Sequence, residues 1–180
     1  MDTLGVVETK TIASGVRLAD EMLKIADVTL VKAATICSGR YLIFVSGKQA
    51  DVAMAVGHAR LTNRLTGDFV ISGVSSELVA VLKKRVAIKV DQAIGLVESS
   101  TVSAGIAAAD AAVKSADISL IRLVTGFGIC GKCYFLFSGE LAAVEEANNT
   151  AKEFLGTKYI ESIVLARPEH DVVKAIIGVR

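Results

Sequence analysis

The chain has 180 residues, of which 52% are hydrophobic and 22% charged, with a formal net charge of +1 and a mean hydropathy of +0.54. So balanced a charge excludes a general basic nucleic-acid surface and a polybasic membrane patch. No run of about 18 uncharged apolar residues occurs, which excludes a helical membrane span despite the apolar composition. The start, Met1-Asp2-Thr3-Leu4-Gly5, has neither a basic region nor a cleavage site, so no secretory signal is expected. Three cysteines, Cys37, Cys130 and Cys133, fit a reducing compartment better than a disulfide framework.

In chain order, Leu4–Glu8 reads as a short strand. Val16, Ala19, Leu23 and Ala26 then recur at helical spacing, predicting a helix from Ser14 to about Ile25 with Ser14 as its cap. Val28–Ala34 and Tyr41–Ser46 are β-rich, and Cys37-Ser38-Gly39 makes a tight turn between them. A helix from about Gln49 to Leu65 follows, then a strand over Phe69–Val74 and a short helix over Ser76–Lys84, with Ser75 or Ser76 capping it. The second half repeats this order. Its strand Ala93–Glu98 leads to a helix over Ser103–Ser115, then strands Ile118–Val124 and Lys132–Ser138. A helix Glu140–Phe154, a strand Tyr159–Leu165 and a helix Glu169–Ile177 complete it.

The repetition is visible residue by residue. Leu4–Leu30 aligns without a gap on Ile94–Leu120, with 11 of 27 positions identical. After a two-residue shift, Ser38-Gly39-Arg40 faces Cys130-Gly131-Lys132, and Val45-Ser46-Gly47 faces Phe137-Ser138-Gly139. The chain is therefore two domains, 1–90 and 91–180, with the boundary near Lys89–Gln92 after the basic Lys83-Lys84-Arg85. No Gly/Ser/Pro linker separates them, so close packing is expected. The order β-α-β-β-α-β-α in each copy predicts an α+β, ferredoxin-like fold, with helices on one side of a mainly antiparallel sheet. Domains of this size bury a limited share of their surface, so the surplus of apolar residues points to contacts between subunits.

Little in the residues suggests catalysis. Glu8 and Glu98 end equivalent strands, which favours a role in the fold over acid–base chemistry. Ser14 and Ser103 have no His–Asp arrangement to activate them, and His58 and His170 read as surface or packing residues. Gly126-Phe127-Gly128-Ile129-Cys130-Gly131 spells GxGxxG, but a strand follows where a dinucleotide site requires a helix. Cys130-Gly131-Lys132-Cys133 likewise leads into a strand, where a redox CxxC would open a helix, and zinc would need two further ligands.

The repeated pattern of Leu4-Gly5-Val6-Val7-Glu8, the turn Thr35-Ile36-Cys37-Ser38-Gly39 and the run Phe127–Tyr134 resemble the shell domain of bacterial microcompartments. Two unpermuted copies in one chain are similar to the tandem-domain trimeric class of those shell proteins, of the propanediol-utilisation T type. The resemblance covers residues 4 to about 177. It implies a homotrimer forming a flat pseudohexagonal tile, set in a microcompartment shell beside other shell proteins and around a cargo of enzymes, redox enzymes included. Lys24, Lys114 and Arg167 match tile-edge positions. The central pore would be lined by Ile36, Cys37, Ser38 and Gly39 together with Gly128, Ile129, Cys130 and Gly131.

The resemblance also implies a 4Fe–4S cluster in that pore, one per trimer, with one Cys37 from each chain as metal ligand and one iron open to another ligand. Cys130 could contribute to such a site, compete for it or stand apart, and Cys133 matches a structural position. The alternatives are a cofactor-free metabolite pore in the same tile, and a small redox enzyme or electron carrier that happens to oligomerise.

Overall fold

The structure is a computed structural model and describes residues 3–83 and 92–177. Most of the expected boundary at Lys89–Gln92, with Lys84 and Arg85, lies outside the described residues. The elements are β1 (Thr3–Thr9), α1 (Ile12–Ile25), β2 (Val28–Ile36), β3 (Arg40–Gly47), α2 (Gln49–Arg60), β4 (Leu65–Ser72) and α3 (Ser76–Leu82). The second copy gives β5 (Ala93–Ser99), α4 (Val102–Ser115), β6 (Ile118–Thr125), β7 (Cys133–Gly139), α5 (Leu141–Leu155), β8 (Tyr159–Leu165) and α6 (His170–Ile177).

Each copy folds into a four-stranded antiparallel sheet of the same order, β2-β3-β1-β4 and β6-β7-β5-β8. The repeat register holds in the pairing: Leu4 faces Ser46 and Ile71, and Ile94 faces Ser138 and Leu165. The β-α-β-β-α-β-α expectation holds.

One part of it is corrected. The helices lie on both faces of each sheet. Strand residues alternate faces. Val7, Ile43 and Val45 pack on Leu18, Met22, Val52 and Val56 of α1 and α2. The opposite face of the second sheet, Ile94 and Leu136 with Ile121, packs on Val173 and Ile177 of α6. Both faces are apolar, so both need a cover.

Three local boundaries differ from expectation. α1 is capped by Thr11, whose side chain accepts from the Ser14 amide, so Ser14 lies inside the helix. α2 stops at Arg60, because Asn63 adopts a left-handed φ of 53° and turns the chain directly into β4. β4 therefore begins at Leu65. Ser75, of the two serines considered, caps α3.

The two copies join across a continuous core. Leu4, Val6, Leu42, Phe44, Ile71, Leu78 and Val81 of the first belong to the same buried cluster as Val102, Ile106 and Ala109 of α4. α4 is thus enclosed between its own sheet and the first domain. Polar contacts fix the seam. The Ser75 amide and hydroxyl donate to Asp110 at 2.8 and 2.7 Å, and Lys114 Nζ donates to the Ser72 carbonyl at 2.9 Å.

Candidate functional site: the Cys37 turn at the domain seam

Cys37 opens the three-residue turn between β2 and β3. Ser38 and Gly39 both adopt φ of 67°, so the turn reverses tightly. Cys37 is partly exposed. The β6–β7 loop of the second domain lies over this turn. It holds Gly126, Gly128, Cys130 and Gly131 at positive φ and is closed by hydrogen bonds from Gly126 N–H to Lys132 O and from Gly131 N–H to Gly126 O.

This loop presents a donor to the cysteine: the Gly128 N–H reaches Cys37 Sγ at 3.1 Å. The sequence places these residues 91 positions apart. Ser38 Oγ donates to the Cys130 carbonyl at 3.3 Å, and Arg40 Nη2 donates to the same oxygen at 3.2 Å. Arg40 also fills the space where a side chain on Gly131 would sit.

Behind the turn lies a buried ion pair. Arg40 Nη1 meets Glu8 Oε1 at 2.5 Å, and Glu8 is fully buried. The other carboxylate oxygen accepts from the Ser103 amide at 3.1 Å and hydroxyl at 3.2 Å. Glu8 thereby supplies an acceptor in the first turn of α4, where the free amides and the helix dipole favour an anion. Thr101, rather than Ser103, holds the cap position of α4. A chain of contacts runs from α4 through Glu8, Arg40 and the Cys130 carbonyl to the loop that carries Gly128. Each link is side chain or backbone of fixed geometry, so the donor to Cys37 is positioned by the seam itself.

Ile36, Ser38 and Gly39 share the Cys37 turn, and Ile129, Cys130 and Gly131 share the loop above it. Cys130 is exposed, and its carbonyl is the part that meets the turn. Cys133 begins β7 and is buried against Gly105, with no room for a side chain on that glycine. Lys24 is exposed and pairs with Asp20 at 2.5 Å, whereas Lys114 pairs with Asp110 at 2.5 Å and is drawn into the seam. Arg167 is exposed after β8. His58 pairs with Glu21 at 3.2 Å and His170 starts α6, neither near the turn's contacts. The GxGxxG stretch runs from strand to strand, as expected from sequence.

Burial pushes the Cys133 thiol far above the ordinary cysteine range; the Glu8 carboxylate adds to the rise and a hydrogen bond with Ser99 opposes it. A raised native pKa means the folded state keeps a proton that the unfolded chain releases near pH ~8.5, so this group's contribution to stability is lost as pH rises beyond that value. Iodoacetamide at pH 8 is therefore expected to label Cys37 and Cys130 in the native iron-free protein, and Cys133 only after unfolding. Peptide mass spectrometry reads this, and equal labelling of all three would refute the burial assignment.

Among the described residues, no group of three or more His, Cys, Asp or Glu side chains converges within one chain. No described helix is long and apolar enough to cross a membrane.

Comparison with known proteins decides the family. The BMC domain matches this chain twice, over residues 3–74 and 93–168. The chain belongs to the BMC domain family. The bacterial microcompartment shell protein PduT of Citrobacter freundii is 32% identical over 178 residues, covering 97% of both chains. The carboxysome assembly protein CcmO of Synechococcus elongatus is 31% identical over 188 residues, covering 96% of this chain and 68% of that protein. Among solved structures, a microcompartment protein from Desulfitobacterium hafniense superposes with a TM-score of 0.82 at 28% identity, over 97% of this chain and 99% of that one. This BMC protein is accordingly a structural component of a bacterial microcompartment shell. Its two BMC domains correspond to the two sheets, and the Cys37 turn lies where they meet.

Proposed function

We propose that three copies of this chain close head to tail into a ring of six domains, a shell tile, and that the three Cys37 turns converge on its axis to hold one 4Fe–4S cluster. The observation that carries the ring is the unequal burial of equivalent helices. Val102 and Ile106 of α4 are fully buried against the first domain. Their counterparts on α1, Ile12 and Val16, are 41% and 53% exposed. The surface that would cover them exists on the second domain: β8, the counterpart of β4, exposes Ile160 and Ile163. A surface that fits a different surface on an identical copy makes a heterologous contact, and such contacts close into a ring where the rotation between copies is a whole fraction of a turn. Each added copy repeats the seam already present within the chain.

The cluster reading is supported by donor chemistry. Cys37 is partly exposed and its sulfur already accepts a backbone N–H, the kind of hydrogen bond that tunes cluster sulfurs. One cysteine per chain suffices only where three chains meet. The second copy has Ile129 in the corresponding place, so the ring offers three equivalent sulfurs rather than six. When bound, the cluster would supply one-electron redox chemistry at a plugged pore. The chain's own residues hold the turn, present the Gly128 donor and set the polarity around the sulfur.

In a tile, Lys24 and Arg167 would lie at the outer end of the seam between chains, where neighbouring shell proteins dock. Both are exposed. The test is anaerobic purification with light scattering and iron and sulfide analysis. The expected result is a trimer with about four irons and four sulfides per three chains. A trimer without iron would favour the plain metabolite pore, and a monomer would remove the basis of the tile.

A further inference from the structure

The seam within the chain can be compared, position by position, with the surfaces left free at its two ends. In the closed seam, Glu8 is held by Arg40 and by the first turn of α4. In the second domain the counterparts are Glu98 and Lys132, and among the described residues they form no ion pair. Glu98 also sits directly opposite Glu161 in the β5–β8 register. Like charges facing each other across strands are destabilising, yet nothing in the described chain neutralises this pair.

The other free end carries the complement. α1 has no acidic residue in its first turn, and Ala13 stands where α4 has Ser103. A second difference matches the first. Gly67, opposite Glu8, lies so close to Ser103 that a Cβ there would come within 2.4 Å of its hydroxyl. The counterpart of Gly67 is Glu161. On the free seam the hydroxyl that crowds Gly67 is gone from one side, and the other side carries a side chain in place of the glycine.

We infer that Lys132 of the partner subunit completes the Cys37 turn: it donates to the Ser38 carbonyl, as Arg40 donates to Cys130 within the chain, while the partner subunit's Glu98 accepts from the Ala13 amide at the start of α1. This rests on the head-to-tail ring proposed above. Each cysteine turn is then held from both sides, by Gly128 of its own chain and by a lysine of the next. The surroundings of the sulfur differ on the two sides. The Arg40 charge is spent on a buried carboxylate, whereas Lys132 is exposed in the single chain and brings a cation to the turn from outside.

The contact can be trapped chemically. Cysteines replace Ser38 and Lys132 in a background of Cys37→Ser and Cys130→Ser, and the purified protein is treated with a short bismaleimide. Interchain links that join position 38 to position 132 are expected, identified by peptide mass spectrometry of the covalent dimers and closed trimers, and distinct from the 38-to-38 links that the converging turns allow at the axis. Because these variants alter the turn itself, a second measurement uses otherwise native protein. Glu98→Gln should weaken trimer formation at least about tenfold in sedimentation, the cost expected for a charged hydrogen bond lost at each seam. A trimer with no interchain 38-to-132 link and unchanged association on Glu98→Gln would overturn the inference while leaving the ring intact. Native protein that never forms trimers would overturn the ring first.

Discussion

Replacing Cys37 by serine is expected to remove all bound iron while leaving the trimer intact. Threefold symmetry makes the loss all or none. In a site built from one residue per chain, a single substitution removes every protein sulfur at once, so no partial ligand set survives. Cluster irons are held by thiolates, and a serine hydroxyl gives up its proton far less readily. The fold should barely notice. Cys37 is partly exposed in a turn, serine is nearly isosteric, and substitutions at such positions usually fall within about 0.5 kcal/mol. The hydrogen bond from Gly128 can be kept by the serine oxygen. Cys130→Ser is the paired experiment. The Cys130 carbonyl meets the turn and survives the substitution, so iron content should stay at the wild-type level. Anaerobic iron and sulfide analysis, the visible spectrum and light scattering on the same samples read all of this. Full iron retained by Cys37→Ser would sink the ligand assignment, and iron lost with Cys130→Ser would add a second ligand.

The residues that made the fold legible were those repeated at a constant offset. Leu4 to Leu30 and Ile94 to Leu120 carry the same faces in the same order, and the strand pairings repeat with them. The places where reading failed are places where a distant contact overrides a local preference. Thr66-Gly67-Asp68 looks like a loop, yet Gly67 lies within β4 because Ser103, from the other domain, approaches where a side chain would be. Ser103 resembles a helix cap, yet its donors go to Glu8, 95 positions away. The helix on the second face of each sheet was expected beside the others, because a seven-residue element such as α3 does not declare from its own sequence which face it will cover.

The site was partly legible for the same reason. Cys37 stood out because its turn matches the pore turn of the family that the repeat resembles. The donor to its sulfur did not, since a backbone amide leaves no mark in the sequence beyond the glycines that shape its loop. Glu8 was rightly given to the fold by its repetition. That same repetition hid the asymmetry: Glu8 is fully buried, and Glu98 is left partly exposed.

That asymmetry predicts the largest stability effect. Glu8→Ala should destabilise the chain by roughly 3–5 kcal/mol, the range for breaking a buried ion pair from one side. Arg40, whose side chain is 13% exposed, loses its carboxylate, and the Ser103 amide and hydroxyl lose their acceptor at the first turn of α4. Removing Arg40 as well should recover part of the loss, because the orphaned cation then disappears; the coupling in this double-mutant cycle measures the pair directly. Equilibrium denaturation in urea at fixed protein concentration gives the values. The repeat supplies its own control. Glu98→Ala removes an equivalent glutamate that meets no cation among the described residues, so it should cost the isolated subunit well under about 1 kcal/mol. Its effect should instead grow with protein concentration, since a residue that acts between copies stabilises only the assembled state. Equal, concentration-independent losses for Glu8→Ala and Glu98→Ala would mean that the two seams are not the same contact made twice.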